Sequence, residues 1–143
     1  MKIAKRFRWE GAHRLPWHEG LCKNLHGHSY TMFVEIEGEP DERGLLMDFK
    51  DLKHCMLDLV KAWDHATVVD EKDTELHEVL TSRGWKHYVL PFDTTAENMC
   101  IYAAEYLIRT SRSILEAHRI HTVRVRIAET ETCYAEAVRH LTD

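Results

Sequence analysis

Eleven histidines in a chain of 143 residues direct attention to imidazole, the commonest metal ligand and the proton carrier best matched to neutral pH. Three of them are spaced to act together. His26 and His28 stand two apart in "CKNLHGHSY", at the head of an alternating apolar run, so on extended backbone their side chains fall on one face. His13 closes an earlier alternating segment, Lys2 to His13, on the face that carries Ile3, Phe7, Trp9 and Gly11. If the two segments pair as an antiparallel hairpin, their histidine-bearing ends meet. Three neutral nitrogens with a fourth position open make the donor set of a catalytic zinc centre. The competing reading is a polar turn with a chance His-x-His pair in a histidine-rich chain.

Cys22 lies four residues before His26. Beside a metal, a thiol is acidified and can act as base or nucleophile, but it can equally be a fourth ligand that closes the site and makes it structural. Asp64 and His65 adjoin in "WDHA", where a carboxylate can fix an imidazole's tautomer and raise its basicity. A histidine at a helix C-terminus is also favoured by the helix dipole alone. Glu129 ends the apolar face of "VRVRIAE". A carboxylate there needs a donor partner or a ligand, since burial without one costs several kcal/mol. A fork of two N–H groups, from an amidine-like heterocycle edge or an arginine, would satisfy it.

The elements that must position these groups follow from periodicity. Lys2 to His13 reads as a strand, and so does the run from His28, with Tyr30, Met32, Val34 and Ile36 inward and Phe33 the exception. "GEPDERG" supplies a turn. Asp48 caps a helix that carries Phe49, Leu52, Met56, Leu59, Val60 and Trp63 at helical spacing and ends near Asp64. From Val68 to Phe92 the pattern is weakest, with a short helical piece at "TELHEVLTSRG" and an extended "KHYVLPF". In "TTAEN", Thr94 as N-cap and Glu97 at N3 form a capping box, which by itself accounts for Glu97. The helix it opens buries Met99, Tyr102, Ala103, Tyr106, Leu107, Ile114 and Leu115. "HTVRVRIAET" gives a third strand and "TCYAEAVRH" a fourth. The order predicts one α+β domain over residues 1–143, a four-stranded antiparallel sheet with two helices on one face.

Composition narrows the function classes. A formal net charge of −5 and the lack of a lysine and arginine cluster argue against a nucleic-acid partner. With no apolar run of membrane-spanning length and no leader-like start, the expectation is a cytoplasmic protein with no membrane partner. The four cysteines, at 22, 55, 100 and 133, contain no C-x-x-C pair and suit reduced thiols.

The blocks "GAHRL", "CKNLHGHSY", "MDF", "WDH", "TTAEN" and "ETETCYA" occur in the order and spacing of the 6-pyruvoyltetrahydropterin synthase family, which includes the bacterial 6-carboxytetrahydropterin synthases of queuosine biosynthesis. The resemblance runs through almost the whole chain. Three residues between Cys22 and His26 resemble the bacterial branch. The resemblance implies a tunnelling fold whose sheets join into a barrel, as a homo-hexamer made of two stacked trimers with sites at subunit boundaries. It implies Zn2+ on His13, His26 and His28, Cys22 as base with Asp64 and His65 as proton-relay partners, Glu129 holding the pterin edge, and Thr95 and Glu97 near the same ring. The implied activity is a lyase that turns 7,8-dihydroneopterin triphosphate into 6-carboxytetrahydropterin, acetaldehyde and triphosphate. Alternatives are triphosphate elimination of the 6-pyruvoyltetrahydropterin type, another dihydropterin side-chain lyase, or a structural zinc protein. The chain departs from the family pattern in "ATVVDE" after the Asp-His pair, in "FDTTAEN", and in the length of residues 68–93.

Overall fold

A computed structural model describes residues 1–143 and holds one six-stranded sheet with three α-helices. In chain order these are β1 (Lys2–His13), β2 (His26–Gly38), α1 (Phe49–Trp63), β3 (Ala66–Asp70), α2 (Thr74–Arg83), β4 (His87–Leu90), α3 (Ala96–Ala117), β5 (Ile120–Thr130) and β6 (Cys133–His140). The strand order is β4-β3-β1-β2-β5-β6. β1, β2, β5 and β6 pair antiparallel, which is the four-stranded unit expected from periodicity.

The expectation of four strands and two helices is corrected by the stretch from 66 to 90. β3 adds parallel to β1, and β4 parallel to β3, so the sheet is mixed and wider by two short strands. Val68 and Val69 are both buried, which erases the period-two signal that marks a half-exposed strand. They face opposite ways. Val68 joins the main core, while Val69 packs with Leu76 and Leu80 of α2 in a separate cluster. Adjacent residues of a strand point to opposite faces, so α2 covers the face away from that core.

α1 and α3 share the main core. Leu52, Met56, Leu59 and Trp63 from α1 and Met99, Cys100, Ala103 and Leu107 from α3 meet Phe7, Trp9, Tyr30, Met32, Val34, Ile36, Val123, Val125 and Ile127 from the strands. The opposite face is charged: Arg124 bridges Glu35 and Glu136, and Arg126 reaches Glu136. Phe33 lies on that face, 41% exposed, which explains its place out of phase.

Caps follow short-range chemistry. Asp48 accepts from the Lys50 amide at 2.7 Å, Asp73 from that of Leu76 at 3.3 Å, and Gly84 closes α2 at φ +65°. α3 begins one residue later than the sequence predicts: Thr95, not Thr94, is its N-cap and accepts from the Asn98 amide. Thr94 is 1% exposed, its hydroxyl turned to the Arg14 carbonyl. Glu97 is therefore not at N3 and forms no capping box. All four cysteines are free, and no helix is long and apolar enough to cross a membrane.

Candidate metal centre and its cavity

The hairpin of β1 and β2 sets His13 directly opposite His26, with Gly11 opposite His28. The rings converge, with centroids 4.7 Å apart for His13 and His26, 4.8 Å for His26 and His28, and 5.2 Å for His13 and His28. Gly11 leaves room for the stacked rings of Trp9 and Tyr30. A methyl at that position would stand 3.2 Å from Tyr30 Cε2 and 3.3 Å from Trp9 Nε1.

Each outer hydrogen bond decides which nitrogen remains available. His13 Nδ1–H donates to the Thr94 carbonyl at 2.7 Å, and His26 Nδ1–H to the Asn24 carbonyl at 2.7 Å. That fixes the tautomer with Nε2 unprotonated and aimed inward, the usual outer-shell arrangement of a metal-bound histidine. Nε2 of His13, His26 and His28 are all buried and without a hydrogen-bond partner. Three buried orphan acceptors at one place are costly unless something occupies the space between them. One ligand atom from each residue lies within 4.8 Å of the others, so the three histidines can hold a metal ion. Burial lowers the pKa of His13 and of His28, opposed at His13 by its bond to Thr94 and at both by Glu129. Both are thereby kept in the neutral form that ligates.

Cys22 sits in the short 3-10 turn Leu21–Lys23, and its carbonyl accepts from the Leu15 amide at 2.9 Å. This bond ties together the loop that joins the two histidine-bearing strand ends. Cys22 is not a member of the group of three histidines that can hold a metal ion.

Glu129, Glu97 and Thr95 come together. All three line one cavity of about 230 Å3, with Leu15, Ala96, Ile127, Cys133, Tyr134 and Ala135. Glu129 joins cavity and cluster, with one carboxylate oxygen 3.7 Å from His13 Nε2 and the other 3.7 Å from His28 Nε2. Cys133 and Tyr134 were not anticipated. They stand in the block "ETETCYA", and the turn after Glu129 returns β6 alongside it.

Asp64 and His65 pair with each other at 2.9 Å but line neither the cavity nor the cluster. The Asp64 carboxylate accepts from the Glu10 amide and from His65, and both bonds lower its pKa in that order. His65 is held at φ +55°, a left-handed conformation uncommon for a residue with a Cβ, by its own amide donating to the Glu10 carbonyl at 2.6 Å. Its side chain is 75% exposed. The pair is built and oriented, but it faces outward from its own chain.

These features define an α+β protein whose central hairpin carries three imidazoles able to hold a metal ion beside a carboxylate-lined cavity. The particular family follows from the sequence as a whole. The chain belongs to the 6-pyruvoyl tetrahydropterin synthase family, whose model matches residues 2–140. It is 32% identical to the 6-carboxy-5,6,7,8-tetrahydropterin synthase of Haemophilus influenzae over 94% of this chain and 96% of that protein. It is 35% identical to a putative 6-carboxy-5,6,7,8-tetrahydropterin synthase of Pyrococcus abyssi, covering 95% and 91% of the two chains. The fold matches that of Plasmodium falciparum 6-pyruvoyl tetrahydropterin synthase with a TM-score of 0.78 over 98% of each chain, at 18% identity.

Proposed function

We propose that this protein is a zinc-dependent lyase that converts 7,8-dihydroneopterin triphosphate and water into 6-carboxy-5,6,7,8-tetrahydropterin, acetaldehyde and triphosphate. The observation that carries the reading is the junction of three orphaned imidazole nitrogens with a cavity lined by Glu129, Glu97 and Thr95. The names of the relatives, two of them at 32% and 35% identity, supply the product class, a 6-carboxytetrahydropterin.

Three imidazole donors with no thiolate suit Zn2+ with an open position. Bound there, the ion supplies Lewis acidity toward the substrate's side-chain oxygens. The protein's own residues do the rest. Glu129 accepts the paired N–H groups of the pterin's amino-pyrimidine edge, and Glu97 and Thr95 line the wall beside that ring. Cys22, on the loop that joins the two histidine-bearing strand ends, takes the proton from the side-chain carbon. His65, oriented by Asp64, carries protons to and from it. Because Asp64 and His65 lie outside their own chain's cavity, the complete site takes them from a neighbouring copy. The sheet's two free edges, β4 and β6, are where copies can pair into a barrel, in keeping with a hexamer built of trimers.

The test is incubation of zinc-loaded protein with dihydroneopterin triphosphate, followed by mass analysis for a carboxypterin and a carbonyl assay for acetaldehyde. A pyruvoyl pterin without acetaldehyde would replace the proposed product with that of the sister reaction. Absence of any pterin product would overturn the reading. Cys22→Ala should keep its zinc and lose roughly 10²–10⁴-fold in kcat, the usual contribution of a positioned acid or base. Loss of zinc in that variant would instead make Cys22 a ligand.

A further inference from the structure

Glu129 stands where two tasks overlap. It lines the cavity with Glu97 and Thr95, yet its two oxygens stand 3.7 Å from His13 Nε2 and from His28 Nε2. Two donors on one tetrahedral ion, each at about 2.0–2.1 Å, are roughly 3.4 Å apart. Each Glu129 oxygen is thus within about 0.3 Å of that spacing from one histidine, Oε1 from His13 and Oε2 from His28. It approaches on the flank of His13 and His28, and the tight group within 4.8 Å is completed by His26 alone.

The backbone gives this carboxylate latitude. In the β5–β6 ladder Ala128 pairs with Tyr134 and Thr130 with Cys133, leaving Glu129 as the unpaired residue of a bulge. A bulge re-aims one side chain out of strand register and is common beside active sites. Glu129 is 25% exposed at its side chain, so neither position is sealed.

Building on the metal and pterin roles proposed above, we propose that Glu129 is an exchangeable ligand. In the substrate-free protein its carboxylate fills the metal's fourth position. When a pterin enters, the two N–H groups of its amino-pyrimidine edge draw the carboxylate into the cavity and free that position for the substrate's hydroxyls. The open centre is then exposed only when a ligand presents a paired donor edge. That makes Glu129 a specificity element as well as an anchor. By linkage, pterin binding and metal affinity must oppose each other through this residue.

The test uses chelator competition on the zinc-loaded full chain, wild type and Glu129→Gln, with and without pterin itself, which lacks the side-chain hydroxyls. Wild type should hold zinc about 10- to 100-fold more tightly than the variant when no pterin is present, in the range seen when a metal site loses a supporting group. Saturating pterin should weaken the wild-type hold by a similar factor and leave the variant's unchanged. At saturating zinc both should still carry one ion, because the three histidines remain. A second readout separates ligation from mere charge. In the cobalt-loaded protein, neutral imidazole should bind more tightly to Glu129→Gln, by visible absorption, because the fourth position is vacated. Equal zinc affinity and equal imidazole affinity in the two proteins would overturn the proposal. If that equality came with lost pterin binding, the anchoring role would stand and only the exchange would fall. Weaker zinc in the variant with unchanged pterin affinity would establish the ligand and overturn the anchor.

Discussion

Asp73 is the residue through which a segment with little sequence signal reaches the site, and its removal has a calculable cost. Its carboxylate caps α2 by accepting from the Leu76 amide and takes a fork from Arg14, Nε at 2.7 Å and Nη2 at 2.6 Å. Arg14 directly follows His13, and its carbonyl accepts from Thr94, whose own carbonyl orients His13. Loss of an N-cap costs about 1 kcal/mol, and a hydrogen-bonded charged partner about 1.5–3 kcal/mol. Glu75 lies 3.5 Å from Arg14 Nη2 and takes over part of the pairing, so the lower end of that range applies. Asp73→Ala should therefore destabilise by about 2–3 kcal/mol, or lower Tm by about 5–10 °C for a chain of this size. Asp73→Asn, which keeps a capping oxygen, should lose about half as much. The Arg14 guanidinium holds the Asp73 carboxyl below its usual range. A depressed folded pKa contributes stability that is complete above the unfolded carboxylate's value and is lost as pH falls through the folded one. The Tm deficit of Asp73→Ala should thus be constant from neutral pH to about pH 5 and shrink below about pH 4. Scanning calorimetry across that range decides the matter. A variant within about 1 °C of wild type at neutral pH, or a deficit that grows with acid, would refute the clamp.

Chelation should lower Tm, since a single site at a hundredfold excess of metal over Kd contributes about 2.7 kcal/mol. An unchanged Tm after removal verified by elemental analysis would count against a built site. Gly38→Ala should lower the urea midpoint sharply, by about 3 kcal/mol or more in stability, because its methyl would stand 3.0 Å from the Arg119 carbonyl carbon and from Ile120 Cα, both backbone. A wild-type midpoint would contradict that. Tyr30→Phe should be neutral or stabilising by about 1 kcal/mol, because the Tyr30 hydroxyl is fully buried with no partner. A measured loss of about 2 kcal/mol in chemical denaturation would mean that the hydroxyl has a bound partner.

The convergence of His13, His26 and His28 was legible in the sequence. Period-two spacing put His26 and His28 on one face, and an antiparallel hairpin had only to bring His13 opposite His26, which it does. Glu129 was legible as a carboxylate on an apolar face, and the caps at Asp48 and Gly84 follow from short-range hydrogen bonding and φ preference. Such signals are local, so a single chain segment carries them. The start of α3 was displaced by one residue because Thr94 and Thr95 can both cap. What separates them is the distant His13, which claims the Thr94 carbonyl. β3 and β4 escaped because parallel strands of five and four residues, one with two adjacent buried valines, have neither length nor alternation to mark them. The Arg14–Asp73 clamp spans 59 residues of sequence, and the bulge that frees Glu129 exists only in the ladder between β5 and β6. Tertiary structure also placed Cys22 outside the ligand cluster and faced Asp64 and His65 away from their own cavity. Those outcomes depend on pairing between distant segments, where the free energy resides in contacts that no stretch of sequence contains by itself.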